Sequence, residues 1–177
     1  MNAPLHYFFC LESGSMAKVP GVDDEYEVKL WRPSLLETHP KGVWAFAFPV
    51  WWLMHWLRMF SNREYSVLVL YRNGRAVHRS SVYPRFFRFP FMGPADLQIG
   101  NTYTEPTERG RGLATFAIGE IVQRFAEPGR RFWYLVDARN AASVRAVERA
   151  GFSRVGVGCK EARFGVRLLG RYSMSGP

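Results

Sequence analysis

The chain has 177 residues, 47% of them hydrophobic and 22% charged, which describes one globular domain with a sizeable core and excludes a disordered or fibrous protein. Two cysteines (Cys10, Cys159) and four scattered histidines (His6, His39, His55, His78) set no disulfide framework and no metal pattern, so a reducing cytoplasmic setting and no metal are expected. The net charge of +9 is lopsided: residues 1–71 carry 6 basic and 7 acidic side chains, residues 72–177 carry 18 and 8, a balance that suits a polyanionic ligand on the second part.

In chain order, residues 1–24 read as a weakly ordered extension ending in Gly21-Val-Asp-Asp24, and residues 25–177 as a single domain. The apolar patch Tyr7 to Cys10 is too short for a signal core. Tyr26 to Trp31 alternates as a first strand. Arg32-Pro33 places a proline at a helix start, followed by Ser34 to Glu37. A second helix follows Pro49, through Trp51, Trp52, Leu53, Met54, Trp56, Leu57 and Met59. It is apolar nearly all round and should be largely covered. The window Val43 to Phe60 is too short and too interrupted for a membrane span, which needs about 20 apolar residues.

Tyr65 to Tyr71 and Arg75 to Val82 read as strands joined by an Asn73-Gly74 hairpin turn. Tyr83 to Pro94, with three prolines and four phenylalanines, breaks the pattern. A strand from Asp96 to Thr104 then feeds the turn Glu105 to Gly112, and apolar residues recur at helical spacing from Leu113 to Phe125. After Pro128-Gly129 come a strand, Phe132 to Val136, and a helix from Asn140 to Ala150-Gly151. Val155 to Lys160 and Val166 to Tyr172 supply closing strands.

The turn carries the chemistry. A strand entering a basic, glycine-punctuated turn that opens a helix can hold phosphate, because the first N–H groups of a helix lack intrahelical partners and its dipole end is positive. Gly110 and Gly112 let the backbone approach a ligand. Arg109 and Arg111 add donors suited to a pyrophosphate. Neither the Gly-Lys-Ser/Thr ending of a Walker loop nor a Gly-x-Gly-x-x-Gly fingerprint is present.

Arg109, Gly112 and Ala114 resemble the Arg/Gln-x-x-Gly-x-Gly/Ala motif of the GNAT N-acetyltransferase superfamily. Asn140-Ala-Ala-Ser143, with Gly151-Phe152 downstream, resembles its Asn-x-x-Ala/Ser…Gly-Phe segment. The resemblance implies an α/β (α+β) fold: a mixed, mostly antiparallel sheet with a splayed strand pair and helices on both faces, in the order β-α-α-β-β-β-α-β-α-β-β. It also implies acetyl-CoA as co-substrate. Tyr103 and Thr104 would meet the pantetheine arm through their backbone. Arg109, Gly110, Arg111, Gly112, Leu113 and Ala114 would cradle the pyrophosphate, with a hydrogen bond from Thr115. Asn140 and Ser143 would contact the pantetheine or acetyl end.

Many members place a tyrosine acid seven residues after the motif asparagine, where this chain has Val147. Tyr103, Tyr134 or solvent would then protonate the leaving thiolate. His78, Asp96 and Glu105 are candidate bases. An aromatic acceptor wall (Trp44, Phe46, Trp51, Trp52, Trp56 and the phenylalanines of 86–91) with Arg79, Arg85 and Arg88 would suit a phosphorylated, ring-bearing amine. The segment from His78 to Gly100 is similar to GNAT proteins found with bacterial surface-polysaccharide genes. The expected activity is therefore N-acetylation of a small primary amine, in particular a nucleotide-linked amino sugar, by direct transfer in a ternary complex. The alternatives are a peptide or protein acceptor, or a non-catalytic module docking an anionic partner. No nucleic acid and no transmembrane segment are expected, and the chain should be a monomer or homodimer.

Overall fold

The structure, a computed structural model, describes residues 4–14, 21–43, 47–163 and 166–175. Eight strands form one sheet: β1 (Leu5–Glu12), β2 (Tyr26–Trp31), β3 (Ser66–Arg72), β4 (Arg75–Pro84), β5 (Leu97–Thr104), β6 (Arg131–Asp137), β7 (Ser153–Arg163) and β8 (Val166–Ser175). Their order across the sheet is β2-β3-β4-β5-β6-β1-β7-β8. Among the described residues only β5 and β6 are parallel, and they pair over just three residues each, Leu97–Ile99 with Phe132–Tyr134. Beyond that point the two strands splay.

Helices α2 (Leu113–Arg124) and α3 (Ala141–Arg149) cover one face, and α1 (Phe48–Trp56) lies on the other. Strand β3 explains why both faces are needed. Leu68 and Leu70 pack into the core beneath α2, with Ile99, Ile118 and Ile121, while Val67, Val69 and Tyr71 pack against Phe48 of α1. Burying each such side chain contributes about 1.5–3 kcal/mol. The β3–β4 hairpin turns on Asn73 and Gly74, with φ 51° and 75°, the left-handed pair of a type I′ turn.

Three expectations are corrected. Residues 1–24 include β1, which is inserted between β6 and β7 in the middle of the sheet. Phe8 packs on Phe91 and Tyr172 on one face, while Phe9 and Leu11 join the core on the other. A strand buried on both faces loses the alternation that marks a half-exposed one. The helix expected at Ser34–Glu37 is absent. The Ser34 hydroxyl instead accepts the Glu37 N–H at 3.1 Å, and prolines 33 and 40 leave no length for a second turn. Helix α1 is only half covered: Phe48 and Met54 are buried, whereas Val50, Leu53, Trp56 and Leu57 are exposed. Trp44 and Phe46 lie outside the described residues.

Candidate active site

A bulge starts the site. Arg79 pairs with Tyr103 and Ser81 with Gly100, so Asn101 and Thr102 together face Ser80. Asn101 sits at φ 49°. The extra residue re-phases β5 and turns Thr102 and Thr104 toward the side covered by α2 and α3.

Beyond β5 a 3-10 turn, Pro106–Glu108, leads to Gly110 and Gly112, at φ 81° and 78°. Gly112 is the N-cap of α2, and no side chain caps that helix. Its first N–H groups are therefore open to a ligand. Glu108 fixes the turn from behind: it accepts Tyr26 Oη–H at 2.7 Å and pairs with Arg72 Nη1 at 2.8 Å. The Tyr26 hydrogen bond and the Arg72 pair hold its carboxyl below the usual range. Arg111 joins this network, 3.4 Å from both Glu108 and Glu25. Its guanidinium thus anchors the loop and is not among the residues that line the cleft. Arg109 donates from Nε to the Thr104 carbonyl at 3.2 Å and lines the cleft.

That cleft, of about 500 Å³, gathers most of the residues singled out in the sequence: Tyr103, Thr104, Arg109, Gly110, Gly112, Leu113, Ala114, Thr115, Tyr134, Asn140 and Ser143. Asn140 caps α3 by accepting the Ser143 N–H at 3.1 Å, and Thr115 reaches the Ala146 carbonyl of α3 at 3.4 Å. Sequence reasoning missed Thr102, Arg145 and Arg149, which also line the cleft. The i, i+4 spacing of the two arginines on α3 was the available signal. Two left-handed glycines with open space around them, an uncapped helix N-terminus and three arginines lining the cleft fit the phosphates of acetyl-CoA. Among the described residues no group of three histidine, cysteine, aspartate or glutamate side chains could hold a metal.

Tyr134, on β6, is almost fully buried at the splay. Burial raises its pKa, against the lowering effect of the Thr102 and Ser143 side chains that hydrogen-bond it. It is therefore a protonated hydroxyl at neutral pH. Val147, where the family's tyrosine is common, is fully buried in the core.

His78, a candidate base, is buried in the sheet. It is 2% exposed, with Nδ1 2.7 Å from Thr104 Oγ1 and Nε2 3.0 Å from Ser80 Oγ. Burial, helped by Arg79, lowers its pKa to about 3, so its imidazole is too weak a base to take up an ammonium proton near neutral pH. It positions the β4–β5 pair. Between the ordinary value of 6.5 and about 3 the unfolded chain binds a proton that the folded chain does not. Stability should therefore fall as pH drops through that window, by up to roughly 1.4 kcal/mol per pH unit. His78→Asn should flatten the slope, as read by urea unfolding near pH 7 and about pH 4.5.

Asp96 lies at the opposite end of β5 from the cleft. It accepts the Gly93 N–H at 2.7 Å and Trp133 Nε1–H at 2.9 Å, and it pairs with Arg131 at 3.1 Å. Its lone pairs are committed to a corner, not to a substrate. Asp96→Asn should cost on the order of 1–3 kcal/mol in thermal or urea unfolding and leave acetyl-CoA affinity unchanged.

On the other face of the splay a smaller pocket, about 220 Å³, is walled by Trp51, Tyr83, Phe86, Phe89 and Tyr172, with Arg88, Gln98 and the bulge residue Asn101. Of the expected acceptor residues, Trp51, Phe86, Phe89 and Arg88 line it, whereas Trp52, Arg79 and Arg85 do not. Trp52 donates Nε1–H to the Ser34 carbonyl at 2.7 Å. Arg79 stacks 4.9 Å over the Tyr103 ring. Arg85 offers its carbonyl to the Ser61 N–H and is not among the lining residues.

Known proteins share this fold. Among curated proteins, none matches the chain significantly. The fold is similar to that of a Drosophila protein (17% identity, TM-score 0.60, covering 88% of this chain and 49% of that one). It is also similar to a tandem GNAT protein from the clavulanic acid biosynthesis pathway (16%, TM-score 0.58, 87% and 51%). A third likeness is to an acetyltransferase of the GNAT family from Colwellia psychrerythraea (12%, TM-score 0.56, 86% and 53%). The chain spans about half the length of these solved structures. The model of the acetyltransferase (GNAT) family matches residues 29–152, more than half of the chain, and the protein belongs to that family.

Proposed function

We propose that the protein transfers the acetyl group of acetyl-CoA to the primary amine of a small molecule, and that the acceptor is an amino sugar carried on a nucleotide. The observation that carries this reading is the meeting of two spaces at one gap in the sheet. The phosphate-suited cleft lies on the helix-covered face of the β5–β6 splay and the aromatic pocket on the other, with the Asn101–Thr102 bulge between them. Two separate entrances let both substrates be bound at once, so the amine attacks the thioester directly.

Arg109, Arg145, Arg149 and the open N-terminus of α2 hold the phosphates of acetyl-CoA. The edge of Thr102–Thr104 that β6 leaves unpaired aligns the pantetheine arm. The amine nitrogen adds to the carbonyl carbon, the C–S bond breaks, and the Tyr134 hydroxyl gives its proton to the departing thiolate sulfur. With His78 too weakly basic and Asp96 committed elsewhere, the ammonium proton passes to solvent, which also returns the proton that Tyr134 gives up. The aromatic walls suit the apolar face of a sugar ring, and Arg88 suits a phosphate. A pocket of about 220 Å³ admits one ring-sized group, which leaves the nucleotide outside it. Such an acceptor would place the enzyme in the cytoplasmic supply of amino-sugar units to surface polysaccharide. The free thiols Cys10 and Cys159 are consistent with a reducing compartment.

Thiol release from acetyl-CoA, followed with a panel of nucleotide-linked amino sugars, free polyamines and peptides, tests the reading. Turnover is expected with at least one amino sugar. Turnover confined to polyamines or peptides rejects the acceptor, and none with any amine rejects the catalytic reading.

A further inference from the structure

The open face of α1 is independent of the acetyl-transfer reading. Leu36 is 95% exposed, Leu57 62%, Val50 56% and Leu53 50%. Val50, Leu53, Trp56 and Leu57 recur at i, i+3, i+6 and i+7, one face of a helix. The bond from Trp52 to the Ser34 carbonyl holds the leucines of the preceding loop beside that face, and Met59 extends it past the helix end. Of the exposed large apolar side chains among the described residues, the greater number fall between residues 35 and 59. A concentration of this kind marks a docking surface.

Its rim is basic. Lys41, Arg58 and Arg63 are exposed and Arg85 is half-buried, and among the described residues none of the four is in an ion pair. Arg63 is close enough to influence His55 of α1, and Arg85 is tied by its carbonyl to Ser61. The only acidic side chain between residues 35 and 63 is Glu37.

We propose that this face seats the protein on an anionic lipid surface, with α1 lying in the plane of the interface. No described helix is long and apolar enough to cross a membrane, so α1 would rest in the headgroup boundary. Trp52 and Trp56 would sit at the depth that tryptophan favours. Apolar contact and basic attraction are the two signals that together give stable peripheral attachment. The basic rim also decides between occupants. In a two-fold pairing of this face the same cations would meet one another, whereas anionic headgroups neutralise them. Trp51 of the same helix walls the acceptor pocket, so docking would bring that wall to the membrane surface.

The test is co-sedimentation of the full chain with vesicles of phosphatidylcholine alone and vesicles in which part of it is replaced by phosphatidylglycerol. Binding is expected only with phosphatidylglycerol, and it should weaken as salt rises. Leu53→Glu with Leu57→Glu should weaken it by about tenfold or more, with the circular-dichroism melt and acetyl-CoA affinity of the parent. Should that variant fail to fold, Arg58→Glu with Arg63→Glu, both at exposed sites, should weaken binding by a similar factor of about ten. No parent binding to phosphatidylglycerol vesicles overturns the proposal, as does binding that the variants retain. A concentration-dependent dimer without vesicle binding, dissolved by the leucine variant in sedimentation velocity, assigns the face to a second copy instead.

Discussion

Gly112→Val is expected to abolish acetyl-CoA binding and leave the chain folded. At φ 78° this residue occupies the left-handed region, where a side chain costs about 1–2 kcal/mol and a β-branched one is least tolerated. The surroundings add no further penalty, because nothing lies within 4 Å of a Cβ built there. The damage therefore falls on the ligand. Two methyl groups would stand at the mouth of the α2 N-terminus, where a pyrophosphate has to approach the first N–H groups. Arg109→Ala should give a graded version, weakening acetyl-CoA by roughly 1.5–3 kcal/mol, the range for a hydrogen bond to a charged group. Calorimetry with acetyl-CoA measures both, and circular dichroism controls for folding. A folded Gly112→Val protein that binds like its parent would sink the phosphate assignment of the loop.

That loop was legible in the sequence because glycine, arginine and helix periodicity act locally. Gly110 and Gly112 mark backbone that other residues cannot easily adopt, and Leu113 to Arg124 repeats at the helix period. The β3–β4 hairpin could be read for the same reason. What failed depended on distant partners. Nothing near Leu5–Glu12 reveals that β6 and β7 flank it, since its pairing residues lie more than a hundred positions away. His78 was a candidate base because an unperturbed imidazole titrates near neutrality. It is buried in the sheet, and its Thr104 partner lies across a register that a bulge resets. Asp96 looked available until Trp133 and Arg131, from another strand, were seen to use it. Glu108 was overlooked because a lone acid in a basic turn reads as solvated. Its value lies in Tyr26 and Arg72, which reach it from β2 and β3.

Tyr134→Phe is expected to lower kcat by about a hundredfold, some 3 kcal/mol, with little change in acetyl-CoA affinity. The tyrosine is available for this because burial keeps it protonated, while the Thr102 and Ser143 side chains can steady the charge left when its proton departs. Phenylalanine fills the same space in β6, so the core around Val136 and Ile99 should not collapse. The loss should stand at the low end of the range for general acids, because a CoA thiolate leaves tolerably without help. Leaving-group chemistry separates an acid from a merely structural hydroxyl. With an acetyl thioester whose thiol is more acidic, the deficit of Tyr134→Phe should narrow, because a weaker base needs its proton less at the transition state. A deficit that is the same for every thioester would mean that Tyr134 only shapes the cleft. A variant that keeps its parent's kcat would return the proton to solvent.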